Sequence, residues 1–255
     1  MFWRSTIAAP ARAAPTIIDG RLFVMTLDNR LQALDAATGD MLWEYVGISE
    51  MAGLVGAASP AANHDIVVPT FSSGEVLALR VENGSMAWSD NLSGTTIFAG
   101  LSGLSDIKAM PVLDKGLVIV ISFSGRLVAI DERTGTRVWQ REIGGANTPW
   151  VAGDYIFVIT SQNQLIAMER KNGEIQWVQE LRGEDEDEPV FFNGPVLAGE
   201  RLIVTSSEGY VFELNPINGA PLKKWEAGGS LSLPPIVAGE TLYILNDNAT
   251  LTAYK

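Results

Sequence analysis

Short apolar runs alternate with polar turns along most of the chain, and residues 111–139 show the pattern most fully. After the opening proline, a turn leads into an apolar run at Leu117–Ile121, and a second turn leads into an alternating run at Arg126–Asp131. A third turn ends at Gly135, and the last short run carries Trp139. Short β-branched runs with a period of two, bounded by glycine turns, predict four antiparallel strands.

This unit recurs along the chain, because a proline opens it and a tryptophan closes it at a nearly constant spacing. The six repeats are 15–43, 60–88, 111–139, 149–177, 195–225 and 235–255, of which the first four place the tryptophan 28 residues after the proline. In the fifth repeat this spacing is 30 residues, with two extra residues before Trp225. Units of about 40 to 50 residues with four strands each are typical of a β-propeller. The sequence therefore predicts an all-β fold in which 1–255 form a single β-propeller domain of four-stranded antiparallel blades.

The two ends of the chain supply the strands that a sixth blade needs. Residues 1–9 carry Trp3 where a repeat would end, so they are predicted to form a spare outer strand. The sixth repeat, 235–255, contains three predicted strands. An antiparallel pairing of residues 2–8 with 250–255 would remove the exposed edges of a cut sheet. We therefore expect a closed ring of six blades.

The tryptophans that close the repeats are predicted to have a structural role. Their fixed spacing indicates that each ring packs as a wedge between neighbouring blades, and a cofactor cage is the alternative interpretation. This prediction concerns Trp43, Trp88, Trp139, Trp177 and Trp225, and the first four of these rings are expected to be largely buried. Trp150 is an exception because it follows Pro149 on the innermost strand, where it either fills the core or faces the central channel.

The composition excludes several kinds of chemistry. The chain has no cysteine, which excludes disulfides, thiolate metal sites and cysteine nucleophiles. Its net charge of −12 argues against a nucleic-acid partner. The single histidine, His64, has no neighbours at the spacing of a metal site or of a Ser-His-Asp triad. We therefore predict no catalytic residue, no metal site and no cofactor.

The apolar runs and the acidic run of the chain indicate no further functional site. No run reaches the ~18 apolar residues of a membrane span, and Arg4, Pro10 and Arg12 interrupt the start of the chain, so neither a span nor an export signal is predicted. Five consecutive acids, Glu184–Glu188, are predicted to form a solvated loop, with a weak cation site as the alternative.

The segments that join one repeat to the next, called inter-blade loops below, vary in length while the repeats do not. The longest adjacent pair, 44–59 and 89–110, flanks the second repeat, and functional variation concentrates in loops on a rigid scaffold. We predict that these two loops form one apolar patch, and loops folded down onto the blades are the alternative. The expected exposed members are Leu54, Leu104 and Ile107, with Asp106 at the rim.

The core of the repeat, seen at Leu31–Trp43 and Leu127–Trp139, resembles the pyrroloquinoline-quinone-type propeller repeat. The quinoprotein alcohol dehydrogenases of that superfamily are eight-bladed enzymes that hold the quinone with a vicinal cysteine pair and bind calcium beside a catalytic aspartate. This chain has no cysteine, so that machinery is not intact. A quinoprotein-like dehydrogenase is therefore the least favoured of three interpretations.

Three segments resemble the BamB family, the lipoprotein subunits of the outer-membrane β-barrel assembly machine: Gly56–Pro60, Phe71–Leu79 and Leu104–Val112. The resemblance extends along the whole chain and implies a non-catalytic scaffold on the periplasmic face of the outer membrane. The implied partners are the POTRA domains of the central barrel subunit, with unfolded outer-membrane proteins as further candidates. The remaining interpretation is a generic propeller interaction module of the cell envelope.

The family resemblance also implies which residues bind the partner. A Leu-x-Leu-Arg-Gly segment of the family is matched here by Leu54 and Gly56, with Val55 at the arginine position. A Leu-Ser-Asp segment is matched by residues 104–106, with Lys108 in place of a second acid. The implied partner-binding residues are Leu54, Val55, Gly56, Leu104, Asp106 and Ile107. Because the family is eight-bladed, this chain resembles its C-terminal three-quarters or a shortened relative.

Overall fold

The structure is a computed structural model of the 255-residue chain. It describes residues 2–11, 13–47, 58–71, 73–93, 107–184 and 188–255. These residues fall into two compact units, Met1–Ala146 and Asn147–Lys255. Every regular element in the described ranges is a β-strand, as the alternating sequence pattern predicts. These ranges contain no helix that is long and apolar enough to cross a membrane.

The first unit contains three four-stranded antiparallel sheets whose strands follow one another in chain order. The first sheet consists of β1 (Thr16–Ile18), β2 (Arg21–Met25), β3 (Arg30–Asp35) and β4 (Met41–Val46). The second consists of β5 (Ala61–Ala62), β6 (Ile66–Val68), β7 (Glu75–Arg80) and β8 (Met86–Asn91). The third consists of β9 (Val112–Asp114), β10 (Leu117–Ile121), β11 (Leu127–Asp131) and β12 (Arg137–Arg141).

The second unit contains two four-stranded sheets and one three-stranded sheet with the same chain-order topology. The fourth sheet consists of β13 (Trp150–Ala152), β14 (Tyr155–Ile159), β15 (Gln164–Glu169) and β16 (Ile175–Glu180). The fifth consists of β17 (Phe192–Ala198), β18 (Arg201–Ser206), β19 (Tyr210–Leu214) and β20 (Pro221–Glu226). The sixth consists of β21 (Ile236–Ala238), β22 (Thr241–Leu245) and β23 (Leu251–Tyr254).

The sheets agree with the predicted repeats and correct the start of the chain. Residues 2–9 are expected to form a spare outer strand, but this described segment contains no strand. Trp3 is attached to the first sheet through its side chain instead, because its indole Nε1 donates to the carbonyl of Ala36 over 3.0 Å. The single domain and the closed ring stay predictions.

In the first five sheets the middle strands are largely buried on both faces, which is why they appear as nearly continuous apolar runs in the sequence. The middle strand of the sixth sheet, β22, is mostly half-buried. In the third sheet, Val118–Ile121 and Leu127–Ile130 are all 0% exposed. Successive side chains of a strand point to opposite faces, so one sheet can contribute to two cores, as the second and the fifth sheets do. In the first unit, apolar cores lie between the first and second sheets and between the second and third. In the second unit they lie between the fourth and fifth sheets and between the fifth and sixth.

Candidate functional site

Neighbouring sheets are joined by a tryptophan on the outer strand, in a contact that we call a joint. In the first unit, Nε1 of Trp43 donates to the carbonyl of Val81 over 3.0 Å, and Nε1 of Trp88 donates to the carbonyl of Glu132 over 2.7 Å. In the second unit, Trp177 makes the same contact with the fifth sheet over 3.1 Å. Each acceptor lies in the turn between the third and fourth strands of the following sheet. These turns are therefore the places where one sheet is fixed to the next.

The glycine that ends each of these turns is required by its backbone and by the ring packed against it. Gly84 and Gly135 both have a φ of +73°, in the left-handed region that residues with a Cβ rarely adopt. A Cβ at Gly84 would lie 2.6 Å from the ring of Trp43, and a Cβ at Gly135 would lie 2.6 Å from the side chain of Trp88. Any other residue would therefore strain the turn and displace the tryptophan.

The tryptophans differ in how deeply they are buried. Trp88 and Trp139 are both 7% exposed, as the structural prediction requires. Trp43 and Trp177 are only half-buried, whereas the prediction is that they are largely buried. Both of these rings contact a phenylalanine of the same sheet, with centroid separations of 5.7 Å for Phe23 and Trp43 and 6.0 Å for Phe157 and Trp177. These contacts support a packing role for Trp43 and Trp177, and burial supports the same role for Trp88 and Trp139.

The fifth sheet departs from this arrangement. In four sheets, an alanine on the third strand is paired with the tryptophan on the fourth: Ala33 with Trp43, Ala78 with Trp88, Ala129 with Trp139, and Ala167 with Trp177. At the corresponding position beside the β-bulge, the fifth sheet pairs Glu213 with Lys223, and Trp225 is paired with Val211. The two extra residues counted in the sequence therefore do not lengthen the turn. They place the tryptophan two residues further along the same strand.

The displaced tryptophan has a different hydrogen-bond acceptor. Nε1 of Trp225 donates to Oε1 of Glu213 over 2.9 Å, within its own sheet. Nη1 of Arg201 donates to the other carboxylate oxygen of Glu213 over 2.8 Å. Glu213 is only 7% exposed, so these two donors compensate a charge that is largely removed from water. The ring of Trp225 packs against Tyr254 of the sixth sheet, with a centroid separation of 4.7 Å.

The predicted apolar patch lies mainly outside the described residues. That part of the chain includes Leu54, Val55, Gly56, Leu104 and Asp106, whose partner-binding role stays a prediction. Ile107 is described, and its side chain is 1% exposed within the apolar core between the second and third sheets. The expectation that Ile107 is exposed is wrong.

Ile107 is buried because it lies where an inter-blade loop returns to the sheets. The corresponding residues of two other loops are Phe192 and Leu231, which precede Pro195 and Pro235 by three and four residues. Their side chains are 4% and 0% exposed, and each fills the core between two sheets. In three of the six repeats a large apolar residue lies three or four residues before the proline, and this partial recurrence is the sequence signal that could have identified Ile107 as buried.

The two titratable features noted in the sequence form ion pairs at the surface. Nδ1 of His64 lies 2.5 Å from Oδ2 of Asp19. This hydrogen bond and the charge of Asp19 raise the pKa of His64 above its ordinary value. In the acidic run, Glu184 is paired with Lys224, and residues 185–187 lie outside the described residues. Within the described ranges, no group of three or more metal-binding side chains is placed to hold an ion.

A groove with a volume of about 530 Å³ lies beside the fourth and fifth sheets in the second unit. Its lining includes the apolar residues Leu181 and Phe212 and the cation Lys224. Nζ of Lys224 lies 4.3 Å from the ring centroid of Tyr210 and 4.9 Å from that of Phe212. Because the same lysine is paired with Glu184, the charge of Lys224 is already neutralised within the chain.

Comparison with known proteins identifies the family. The sequence model of the family described as outer membrane protein assembly factor BamB matches residues 1–179, which is more than half of the chain. The chain belongs to this family. The BamB protein of Yersinia pestis is 28% identical over 255 residues, which cover 99% of this chain and 63% of that protein. The BamB protein of Escherichia coli strain K12 is 29% identical over 196 residues, which cover 76% and 49%. The chain thus spans less than two thirds of the length of these relatives.

Solved structures establish the fold. BamB from Moraxella catarrhalis matches with a TM-score of 0.87 and 21% identity, over 100% of this chain and 75% of that chain. A europium-containing methanol dehydrogenase matches with a TM-score of 0.68 and 14% identity, over 86% and 52%. At these identities the similarity shows the fold alone. The predicted β-propeller fold is confirmed, and the six sheets are propeller blades.

Proposed function

We propose that this BamB-family chain is a non-catalytic scaffold subunit of the outer-membrane β-barrel assembly machine. The observation that carries the proposal is the similarity to BamB along 99% of the chain. The relatives are named outer membrane protein assembly factors. Because the chain spans 63% of the first of them, the role of the whole protein is carried over as a proposal. The place of action that follows is the periplasmic face of the outer membrane.

The partners we propose are the POTRA domains of the central barrel subunit, bound through the inter-blade loops 44–59 and 89–110. A scaffold needs loops whose ends are held rigidly. The joint made by Trp88 fixes the second sheet to the third, and Ile107 anchors the returning end of loop 89–110 in the core between them. Ile107 therefore has a positioning role, while the contact residues are Leu54, Val55, Gly56, Leu104 and Asp106. Unfolded outer-membrane proteins are a second class of partner for the same loops.

An enzymatic role has less support. The quinoprotein dehydrogenases that this repeat resembles hold their quinone with a vicinal cysteine pair, and this chain has no cysteine. The likeness to a methanol dehydrogenase at 14% identity concerns the fold. A generic envelope interaction module differs from the proposed scaffold only in lacking affinity for POTRA domains, so a binding experiment separates the two.

Isothermal titration of the chain with purified POTRA domains tests the proposal. We expect the wild-type chain to bind and Leu54→Ala to weaken binding by ~1–3 kcal/mol, because a few central apolar residues carry most of the energy of an interface. Asp106→Ala should have a smaller effect that decreases as salt is raised. Ile217→Ala is the matched control, because this exposed side chain lies in the β19–β20 turn. Absence of binding by the wild-type chain would favour the generic module, and unchanged affinity in both variants would place the site elsewhere.

A further inference from the structure

Two consecutive phenylalanines at the start of the fifth sheet have opposite environments. Phe192 is 4% exposed in the core between the fourth and fifth sheets, whereas Phe191 is 67% exposed. The backbone of Phe191 is nevertheless fixed, because its N–H donates to Oγ of Ser207 over 3.0 Å and its carbonyl accepts from the N–H of Ser207 over 2.9 Å. An aromatic side chain held in solvent by a rigid backbone is preorganised for binding, since little conformational freedom remains to be lost.

An exposed leucine lies in the next inter-blade loop. Leu233 is 52% exposed, and its carbonyl accepts a hydrogen bond from Oγ1 of Thr205 over 3.3 Å. The same hydroxyl lies 3.5 Å from the carbonyl of Asn193, two residues after Phe191. Nδ2 of Asn193 donates to the carbonyl of Leu231 over 3.0 Å. The segment with Leu233 therefore runs directly beside the segment with Phe191, at one end of the fifth and sixth sheets.

The loops and turns next to this apolar pair carry mainly acidic residues. The described charged residues of the loops 181–191 and 227–235 and of the adjacent turns 206–209 and 246–249 are Arg182, Glu184, Glu188, Glu208 and Asp247. Hydrogen bonds from Ser232 and Ser230 lower the pKa of Asp247, so it remains anionic at neutral pH. Glu184 is paired with Lys224, so the acids left to face a partner are Glu188, Glu208 and Asp247, and the described surroundings of the pair carry a net negative charge.

We propose that this region, called the Phe191 surface, binds a basic protein segment that has an apolar side chain at its centre. The surface consists of Phe191 and Leu233 with the flanking acids Glu188, Glu208 and Asp247. Lysine or arginine residues of the partner would meet the acids, and an apolar centre with a charged rim is the usual construction of a protein interface. A second copy of this chain, with a net charge of −12, a nucleic acid or an anionic lipid surface would all be repelled.

The Phe191 surface is independent of the proposed POTRA contact, because it uses loops of the second unit rather than loops 44–59 and 89–110. Failure of the chain to bind POTRA domains would not contradict this inference. Failure to bind a basic segment at the Phe191 surface would likewise not contradict the POTRA proposal. Substitutions in the two sets of loops are therefore made in separate variants, so that each proposal is tested independently.

The test uses the full chain and two synthetic twelve-residue peptides, one alternating lysine with leucine and the other alternating glutamate with leucine. Affinities are measured by isothermal titration at low and high salt. Phe191→Ser is the main variant, and Ile217→Ser is the control because Ile217 is 84% exposed in the β19–β20 turn. Thermal unfolding of both variants should match the wild type, since substitutions of exposed side chains change stability little.

We expect the lysine–leucine peptide to bind the wild-type chain and Phe191→Ser to weaken this binding at least about tenfold. Ile217→Ser should bind like the wild type, added salt should weaken binding, and Glu188→Gln should weaken it by about two- to threefold. Three results would overturn the inference: no binding to the wild type, equal binding of the glutamate–leucine peptide, or unchanged affinity in Phe191→Ser. A wild-type dimer that Phe191→Ser dissociates would also overturn it, by assigning the surface to self-association.

Discussion

The second and fifth sheets have the same strand pairing but different side chains at the pair that forms the joint. In the second sheet, Ala78 leaves room for Trp88, whose indole reaches the turn of the third sheet. In the fifth sheet, Glu213 and Lys223 occupy these two positions, and the tryptophan, Trp225, donates to Glu213 instead. Both sheets keep the β-bulge beside the pair. The comparison shows that the tryptophan does not set the strand register, which is determined by the alternating strands and the glycine turn.

The largest expected effect is the loss of a buried joint in the second sheet. Trp88→Ala removes a ring that is 7% exposed together with its hydrogen bond to the carbonyl of Glu132. We expect it to lower the free energy of unfolding by ~3–5 kcal/mol, measured by urea denaturation. Trp225→Ala removes a half-buried ring and should lower this free energy by about 1–3 kcal/mol. Equal losses in the two variants would show that the two joints are energetically alike.

The next effect isolates the contact between the tryptophan and the turn. Gly135→Ala should lower the free energy of unfolding by about 2–4 kcal/mol, because the new Cβ is strained at a φ of +73° and lies 2.6 Å from the side chain of Trp88. Gly116→Ala is the control, because Gly116 has a φ of +80° and no atom within 4 Å of its Cβ position. In the control, the free energy of unfolding should fall only by the cost of the strained backbone, about 1–2 kcal/mol. If both variants lose the same amount, the ring does not constrain the turn.

A smaller effect concerns the buried carboxylate that replaces alanine in the fifth sheet. Glu213→Ala should lower the free energy of unfolding by about 1–2 kcal/mol, because Trp225 loses its acceptor. The loss should be moderate, since the side chain of Arg201 is 47% exposed and can be rehydrated. A double-mutant cycle with Trp225→Phe, which keeps a ring but removes the N–H, measures the coupling directly. Additive effects in that cycle would mean that the hydrogen bond contributes nothing.

The smallest expected effect is a pH dependence at the pair between the first two sheets. Asp19 raises the pKa of His64 above 6.5 in the folded chain, through a hydrogen bond and its charge. A group whose pKa is raised on folding stabilises the fold at pH values below its unfolded pKa, and this contribution is lost as the pH rises through the folded pKa. At pH values below 6.5, Asp19→Asn should therefore slightly lower the thermal midpoint of unfolding relative to the wild type. This difference in midpoint should shrink at higher pH. An NMR titration in which Asp19→Asn leaves the pKa of His64 unchanged would contradict this.

The repeated strands could be predicted because their signals are local. Alternation with a period of two and a glycine at each strand reversal act within a few residues. The observed β10 has the bounds of the predicted run, and β11 begins one residue after the start of its predicted run. The spacing from proline to tryptophan similarly locates the joints.

Other features depend on contacts between strands, which the sequence does not show directly. A spacing of 30 residues in the fifth repeat fits either a longer turn or a displaced tryptophan, and only the pairing of Glu213 with Lys223 separates them. Phe191 and Phe192 are chemically identical, and the one that is buried is decided by the strand register that begins at Phe192 opposite Ser206. The loops 44–59 and 89–110 are apolar whether they bind a partner or fold onto the blades. The burial of Ile107 therefore became evident only from the position of the loop end relative to the core.

The joint also determines how a chain of this kind can change its number of repeats. Trp43 and Trp88 each donate to a carbonyl three residues before a glycine whose φ is +73°, so the two joints are interchangeable. If one whole repeat that carries such a joint were duplicated or deleted, the new neighbours would meet through equivalent surfaces. Because a repeat protein is stabilised mainly by contacts between neighbouring repeats, no compensating substitution would be needed. The fifth sheet lacks this freedom, because Trp225 requires Glu213 beside it and Tyr254 in the sixth sheet. We therefore expect repeat number in such chains to vary among the first sheets, with the fifth and sixth inherited together.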